Sequence, residues 1–424
     1  MRRAGVALAL GVLLALVASP APAAPPPDTC ATCHLDTGDE RLAQPAKDFR
    51  DDIHAAKGFG CVACHGGDSK EEGMEAMDPK KGYIGKPGTR QIPALCGRCH
   101  ADAQFMKQYN PSLRVDQRAE YATSVHGRRL AGVGDLKVAT CISCHSAHAI
   151  RPPSDPKSSV HALKVVDTCG RCHADAKYMG AYKIPTDQLQ KYKTSVHWRA
   201  MFEKGDLSAP TCNDCHGNHG AAPPGISWVG NVCGQCHAVQ ADLFKRSVHA
   251  PVFAQMGNPG CATCHGNHDV SEAGDTLLGL GDKAACAACH TAEDAGGKSA
   301  TEMRAAIGGL SADWEKARAL LLRAEHAGME VSQPQFDLNG AKDALVKARA
   351  AVHSFRTEAV KREVEPGLAI AAKAYARGVR ALEELAFRRK GLAVSVIVIL
   401  ALIAGILLKI RAVDRRQQLG APGH

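Results

Sequence analysis

Two uninterrupted apolar runs lie near the ends of the chain, and each predicts a different kind of helix. Residues 6–17 form a short apolar run behind Arg2 and Arg3, and Ala21-Pro22-Ala23 fits a signal-peptidase site. Residues 1–23 are therefore predicted to be a signal peptide, with a membrane anchor as the weaker alternative. Residues 391–408 carry no charge and are closely bracketed by basic residues. This second run predicts a transmembrane helix, and a buried core helix is its alternative.

Between these runs the pattern changes once. Residues 28–295 are rich in Gly, Pro and short loops, whereas residues 299–390 are rich in Ala, Leu, Glu, Lys and Arg. The second composition predicts long helices. Pro334 and Pro366 are expected to divide that stretch, which gives predicted helices near 300–330, 337–364 and 366–390, the last of them running into the membrane helix. The predicted fold class is mostly α with many loops.

Nine C-x-x-C-H units account for all 18 cysteines, so no thiol remains for a disulfide. A single unit could be half of a zinc site or a redox dithiol. Nine units with histidine at the same place instead predict nine covalently attached c-type haems, with each unit's imidazole on the iron. The predicted attachment cysteines are Cys30, Cys33, Cys61, Cys64, Cys96, Cys99, Cys141, Cys144, Cys169, Cys172, Cys212, Cys215, Cys233, Cys236, Cys261, Cys264, Cys286 and Cys289. The predicted proximal iron ligands are His34, His65, His100, His145, His173, His216, His237, His265 and His290.

These motifs and runs give a predicted order of parts. A signal peptide (1–23) precedes a nonahaem cytochrome c domain (24–295), a helical region (296–390), a transmembrane helix (391–408) and a cytoplasmic tail (409–424). The formal charge of +9 falls to about +4 for the exported part. Each haem adds two negative propionates and one net positive ferric iron-porphyrin, so nine haems bring the charge to about −5. The apparent basicity therefore gives no support to nucleic-acid binding.

An internal repeat places further histidines at fixed positions relative to the haem motifs. Two copies begin with Cys-Gly-Arg-Cys-His-Ala-Asp-Ala at Cys96 and Cys169, each leads to a Tyr-x-x-Ser-Val-His box, and a shortened copy begins at Cys233. A C-x-x-C-H-x-x-H unit follows each box. Its trailing histidine lies too close in sequence to the proximal one to reach the same iron, so we expect it to bind a neighbouring haem. The predicted distal ligands in this region are His54, His126, His148, His161, His197, His219, His249 and His268, against the alternative of solvated or core histidines.

Nine irons with histidine on both faces need one more distal ligand than residues 28–295 supply. His424 would lie across the membrane, so His326 or His353 remains, unless one haem is open. His353 is expected in the middle of a helix, on an apolar stripe with Val360, and we predict that it is the ninth ligand. A helix histidine that binds no iron is the alternative.

With these motifs the chain resembles the multihaem c-type cytochromes of bacterial anaerobic respiration. That group includes cytochrome c3-like carriers, doubled C-x-x-C-H domains, and relatives of pentahaem nitrite reductase and hydroxylamine oxidoreductase. The resemblance covers residues 28–295. It implies an electron carrier that works between a quinol-oxidising membrane complex, or another inner-membrane donor, and periplasmic or outer-membrane cytochromes. The chain departs from the group in two ways, because it has no C-x-x-C-K motif and its membrane helix is C-terminal.

Three functions are therefore in competition. The leading prediction is an electron-transfer protein held in the inner membrane by one C-terminal span, with its haem domain in the periplasm. The second is a reductase of nitrite, hydroxylamine or a sulfur oxyanion at one open haem. The third is the electron-accepting subunit of a quinol-oxidising complex, for which the membrane segment offers no acidic residue or histidine.

Overall fold

The computed structural model describes residues 28–225 and 229–419, and every regular element within them is a helix. The predicted mostly α fold is confirmed, while the predicted signal peptide lies outside the described residues. The α-helices are α1 (Thr29–Asp36), α2 (Glu40–Phe49), α3 (Ile53–Ala56), α4 (Val62–His65), α5 (Ile92–His100), α6 (Ala103–Met106), α7 (Gln117–Thr123), α8 (Val125–Gly132), α9 (Cys141–His145), α10 (Ala162–His173), α11 (Ala176–Met179), α12 (Gln188–Thr194), α13 (Val196–Trp198), α14 (Cys212–His216), α15 (Val229–Gly234), α16 (Ala238–Lys245), α17 (His249–Met256), α18 (Gly260–His265), α19 (Ala295–His326), α20 (Ser332–Ala351) and α21 (Thr357–Leu419).

Shorter helical turns connect these elements. They include 3-10 turns at Met74–Met77, Pro79–Lys81, Thr89–Gln91, Gly180–Tyr182, Asp275–Leu277, Ala285–Ala288 and Val352–Ser354, and a π-helical turn at Arg199–Glu203. The described residues form two compact units. One unit comprises residues 28–172 together with 217–222, and the other comprises 173–216 together with residues from 223 onward.

Four of the short helices that carry a C-x-x-C-H unit are followed by a residue with positive φ. These residues are Gly66 (68°), Ser146 (71°), Gly217 (83°) and Gly266 (78°). A positive φ ends the helix and turns the chain away from it. Residues beyond the turn therefore leave the helix's own haem motif, which explains how a trailing histidine comes to lie beside another motif.

Three long helices, α19, α20 and α21, pack into a bundle around a core of small and aliphatic side chains. Leu310, Leu321 and Ala341 are fully buried in it. Small residues let the helices approach closely: a Cβ at Gly367 would lie 2.8 Å from the Ala344 Cβ. The bundle is thus held by apolar burial, the dominant favourable contribution to folding.

The predicted positions of the helix breaks in this region are wrong. Pro334 lies in the first turn of α20. Backbone N–H groups in a first turn have no acceptor within the helix, so the N–H that proline lacks is not needed there. Pro366 lies inside α21 and does not end it. Pro366 and Arg362 are exposed, so water can satisfy the Arg362 carbonyl that lacks a helical donor, while the buried Val364 and Gly367 hold both sides of the proline. The chain instead breaks at Val352–Ser354, where Phe355 takes a left-handed φ of 53°.

The last helix leaves the bundle without interruption. α21 is 63 residues long, and the segment Thr357–Arg416 is long and apolar enough to cross a membrane by length and composition. Residues 391–408 are all exposed. The alternative of a buried core helix therefore does not hold for this run.

Candidate functional site

The attachment cysteines of successive motifs lie side by side within each unit. Asp28 links the first two motifs, because its carboxylate accepts from the amides of Cys30 at 3.1 Å and Cys61 at 3.0 Å. The thiol of Cys96 is hydrogen-bonded to that of Cys141, which raises its pKa. Cys233 and Cys261 repeat this contact between the seventh and eighth motifs. Groups attached at these thiols would be close neighbours.

The arginine of the repeated Cys-Gly-Arg-Cys-His sequence fastens one motif to the preceding one. Arg98 donates to the Ala63 carbonyl at 3.2 Å, and Arg171 donates to the Ser143 carbonyl at 2.7 Å. Each carbonyl belongs to the C-x-x-C-H unit one motif earlier. The repeat therefore encodes a pair of motifs that this arginine holds together by a hydrogen bond.

The tyrosine of the Tyr-x-x-Ser-Val-His box fixes the box to the motif that follows. Tyr121 donates to the Ala139 carbonyl and Tyr192 to the Pro210 carbonyl, each at 2.8 Å. Both carbonyls lie two residues before a C-x-x-C-H unit. This contact explains why tyrosine recurs at a fixed distance from the histidine.

A backbone hydrogen bond joins the segments of three box histidines to those of three trailing histidines. The amide just before the box histidine donates to the carbonyl two residues after the trailing histidine, at 2.8–3.0 Å. The donor and acceptor residues are Ile53 and Ile150, Val125 and Ala221, and Val196 and Val270. Asp52-Ile53-His54 is thus the first copy of the box, with aspartate in place of serine, a copy that sequence comparison missed because of that replacement.

Four histidine pairs face each other with nearly parallel rings. In each pair one ring belongs to a C-x-x-C-H unit and the other is a predicted distal histidine. Ring centroids are 5.9–6.1 Å apart, and the planes differ by 9–20°. The pairs are His65–His148, His145–His219, His216–His268 and His265–His353. They involve the second, fourth, sixth and eighth motifs.

Three further pairs involve odd-numbered motifs and cross at larger angles. His54 and His100 have centroids 5.9 Å apart at 87°. His249 and His290 are 6.0 Å apart at 87°. His197 and His237 are 6.5 Å apart at 38°.

Hydrogen bonds at Nδ1 orient several of these rings and leave Nε2 available. His54 Nδ1 lies 2.8 Å from Asp52 Oδ1, and His65 Nδ1 lies 2.8 Å from the Gly85 carbonyl. His353 Nδ1 lies 3.0 Å from the Ala350 carbonyl. A carbonyl or carboxylate only accepts, so Nδ1 carries the proton and Nε2 presents a lone pair. This is the usual arrangement of a metal-binding histidine.

Burial favours the neutral form of the facing rings. It lowers the pKa of His148, His219 and His268, and that of His265 and His353. Only a neutral imidazole has the lone pair that binds a metal. The electrostatics of the site therefore agree with its geometry.

His353 occupies a different element from the predicted one. It lies in the 3-10 turn Val352–Ser354 that ends α20, not in the middle of a helix. Its ring faces His265 at 6.1 Å. His326 is exposed at the end of α19, and His424 lies outside the described residues. Of the two candidates for a ninth distal ligand, His353 is the one that the fold brings to a C-x-x-C-H histidine.

The remaining predicted histidine ligands do not share one common arrangement. His126 is on α8 and His173 is on α10, and both are in contact with other residues. His161 is half-buried, and its Nδ1 accepts a hydrogen bond from the Leu163 amide at 3.3 Å. In the part of the chain that the structure describes, no histidine ring lies opposite His34 in the way that the seven pairs face each other.

The ring separations fit a haem iron with an imidazole on each face. An imidazole–metal bond is about 2 Å long, so two imidazoles on opposite sides of one metal have ring centroids roughly 6 Å apart. The seven pairs have this spacing, and each includes the histidine of a C-x-x-C-H unit. The donor set of two thiols and two neutral imidazoles at each such place is the set that a c-type haem requires.

Comparison with known proteins supports the same cofactor. Residues 53–174 match the family model of cytochrome c3. This match supports a multihaem c-type cytochrome with covalently bound haem and an electron-transfer role. No curated protein and no solved structure matches the chain.

Proposed function

We propose that this chain binds nine c-type haems and relays electrons along them in the periplasm during anaerobic respiration, tethered to the inner membrane by residues 391–408. The observation that carries the proposal is the set of facing histidine pairs about 6 Å apart, each beside a pair of attachment cysteines. The family match over residues 53–174 points to the same chemistry.

In this proposal each haem is held by one C-x-x-C-H unit, and the seven facing pairs supply distal histidines from elsewhere in the chain. The bound haems supply one-electron exchange between ferric and ferrous iron. The chain positions them: each trailing histidine serves the unit two motifs earlier, and it lies only three residues from the proximal ligand of another haem. Three residues span at most about 10 Å, so two histidines that would hold different haems stay close together, which would favour electron transfer between those haems.

The proposed partners follow from the resemblance and from the anchor. A quinol-oxidising membrane complex, or another inner-membrane donor, would deliver electrons, and periplasmic or outer-membrane cytochromes would accept them. The continuous helix α21 supports tethering, because it joins the bundle directly to the apolar segment.

A reductase with one open haem is the second candidate, and one observation favours it. Nδ1 of His161 accepts from the Leu163 amide, so the ring proton is on Nε2 and that nitrogen has no lone pair for iron. No histidine ring faces His34 in the described residues, so the unit of His34 is the candidate for the open haem. A high-spin ferric signal in the resting protein, lost on adding nitrite or hydroxylamine, would favour the reductase over the carrier.

The haem count tests the proposed function directly. Full-length protein matured with a cytochrome c assembly system should show, by mass spectrometry, the mass of the chain with nine haems, because all nine units keep both thiols and the imidazole. Replacing both cysteines of one unit by alanine should lower the count by one. A mass that corresponds to seven haems or fewer in the unaltered protein would contradict the proposal.

A further inference from the structure

A buried carboxylate occupies the first copy of the histidine box. Asp52 stands two residues before His54, as Ser195 stands two residues before His197, and both Asp52 and Ser195 are almost fully buried. Both side chains also cap the helix that carries the histidine, Asp52 through the His54 amide and Ser195 through the Trp198 amide. The two residues share a structural role, but only aspartate brings a charge.

The carboxylate of Asp52 is fully hydrogen-bonded by three N–H groups. Oδ1 accepts from the His54 amide at 2.8 Å and from His54 Nδ1 at 2.8 Å. Oδ2 accepts from the Ile150 amide at 2.8 Å. Two of the three donors are backbone amides. The carboxylate therefore cannot rotate away from the imidazole without breaking the helix cap at His54 and the hydrogen bond from Ile150.

Later boxes show a contrast. The Nδ1 of His249, in the fourth box, is buried and has no hydrogen-bond partner in the described residues. In the second and third boxes the hydroxyl oxygens of Ser124 and Ser195 accept hydrogen bonds from backbone amides. Asp294 also contacts a paired ring, that of His290 at 3.0 Å, but its side chain is 40% exposed. Solvent screens that charge far more than it screens the charge of Asp52, whose side chain is 1% exposed.

No lysine or arginine pairs with Asp52 among the residues that the structure describes. Its negative charge is in direct contact with the imidazole of His54 and also acts on the nearby imidazole of His148. A carboxylate on Nδ1–H pulls the proton towards itself and makes Nε2 more basic. A more basic axial ligand stabilises ferric over ferrous iron.

We propose that Asp52 is a positioning residue that, through His54, lowers the reduction potential of the haem attached at Cys96 and Cys99. This inference rests on the proposed function, since it takes His54 and His100 as the two ligands of that haem. The haem is then harder to reduce than it would be with serine at position 52, so an electron resides there less.

The test is a redox titration followed by EPR on the full-length, haem-loaded protein. His54→Ala first identifies the signal of this haem, which becomes high-spin when its distal ligand is lost. In Asp52→Ser, which restores the cap found in the later boxes, and in Asp52→Asn, that same signal should titrate at a higher potential. The expected change is about tenfold in the equilibrium constant for reduction, which for one electron is about 59 mV.

The matched control is Asp51→Asn, which removes the same charge from the adjacent, exposed residue and its pair with Arg151. That variant should leave the midpoint unchanged. If Asp52→Ser and Asp52→Asn stay low-spin with unchanged midpoints, or if both become high-spin, the inference is overturned, because Asp52 then either has no influence or merely retains the ligand. If the unaltered protein lacks low-spin haems altogether, the proposed function itself fails.

Discussion

A single hydrogen bond decides, for several histidines, which ring nitrogen keeps its lone pair. The Asp52 carboxylate and the carbonyls of Gly85 and Ala350 accept hydrogen bonds from Nδ1–H of three histidine rings. The tautomer of each ring is therefore set by its hydrogen-bond partner. The Leu163 amide makes the opposite choice for His161. A histidine count alone therefore overestimates how many rings present a lone pair on Nε2.

His353 provides the sharpest test at this scale. In His353→Ala one ferric haem should change from low-spin to high-spin in the EPR spectrum, because the ring that faces His265 is removed. His326→Ala is the matched control, and its spectrum should equal that of the unaltered protein, since His326 is exposed. A wholly low-spin His353→Ala protein would remove His353 from the ligand set.

Ser146 carries backbone strain where related motifs have glycine. Its φ of 71° and ψ of 178° lie in a region that is essentially restricted to glycine and costs a side chain about 1–3 kcal/mol. Ser146→Gly should therefore raise the free energy of unfolding by about 1 kcal/mol, measured by thermal unfolding of the holoprotein. Gly217→Ser, at the equivalent turn with room for a Cβ, should lower it. Equal stability of all three proteins would contradict this account.

At the scale of elements, short helices followed by left-handed turns build the site, and one very long helix leaves it. After α9, α14 and α18 the turn lets two histidines three residues apart face different partners. α21 tolerates Pro366 because the missing backbone hydrogen bond lies on the exposed side of the helix, while the buried side is packed against the bundle.

The proline in α21 should reduce stability measurably. A proline in a helix interior is about 3 kcal/mol less favourable than alanine, although packing and solvent reduce this. Pro366→Ala should therefore raise the temperature at which the helical circular dichroism signal is lost. Pro334→Ala, in the first turn of α20, should have little effect because proline is compatible with that position. A larger gain from Pro334→Ala than from Pro366→Ala would contradict the reported helix boundaries.

For the whole molecule, the motifs and the helical class could be predicted from the sequence because covalent attachment and apolar periodicity are local signals. The break at Val352–Ser354 could not, since Pro366 is the stronger local signal and only bundle packing overrides it. The partner of Asp52 was equally hidden, because Ile150 is 98 residues away in the chain. The facing of His148 to His65 depends on a turn at Ser146, which no local preference of serine predicts.

Topology is the prediction that belongs to the whole chain. With an exported haem domain and one late span, protease added to spheroplasts should remove the haem domain and leave a tag after His424 protected. Permeabilised cells, in which the tag is also digested, provide the control. Digestion of the tag in intact spheroplasts would show that residues 391–408 do not span the membrane.

The pairing of each even-numbered motif with a histidine from farther along the chain has a consequence for biogenesis. Under the proposed export from the N-terminus, the unit of His65 would wait for His148, that of His145 for His219, and that of His216 for His268. The unit of His265 would wait longest, because His353 would arrive only after α19 and α20 had crossed the membrane. Under the proposed ligation, maturation is therefore ordered from N- to C-terminus. A chain truncated before the bundle would retain one cofactor with an incomplete coordination sphere. That open coordination position would distinguish unfinished molecules from finished ones.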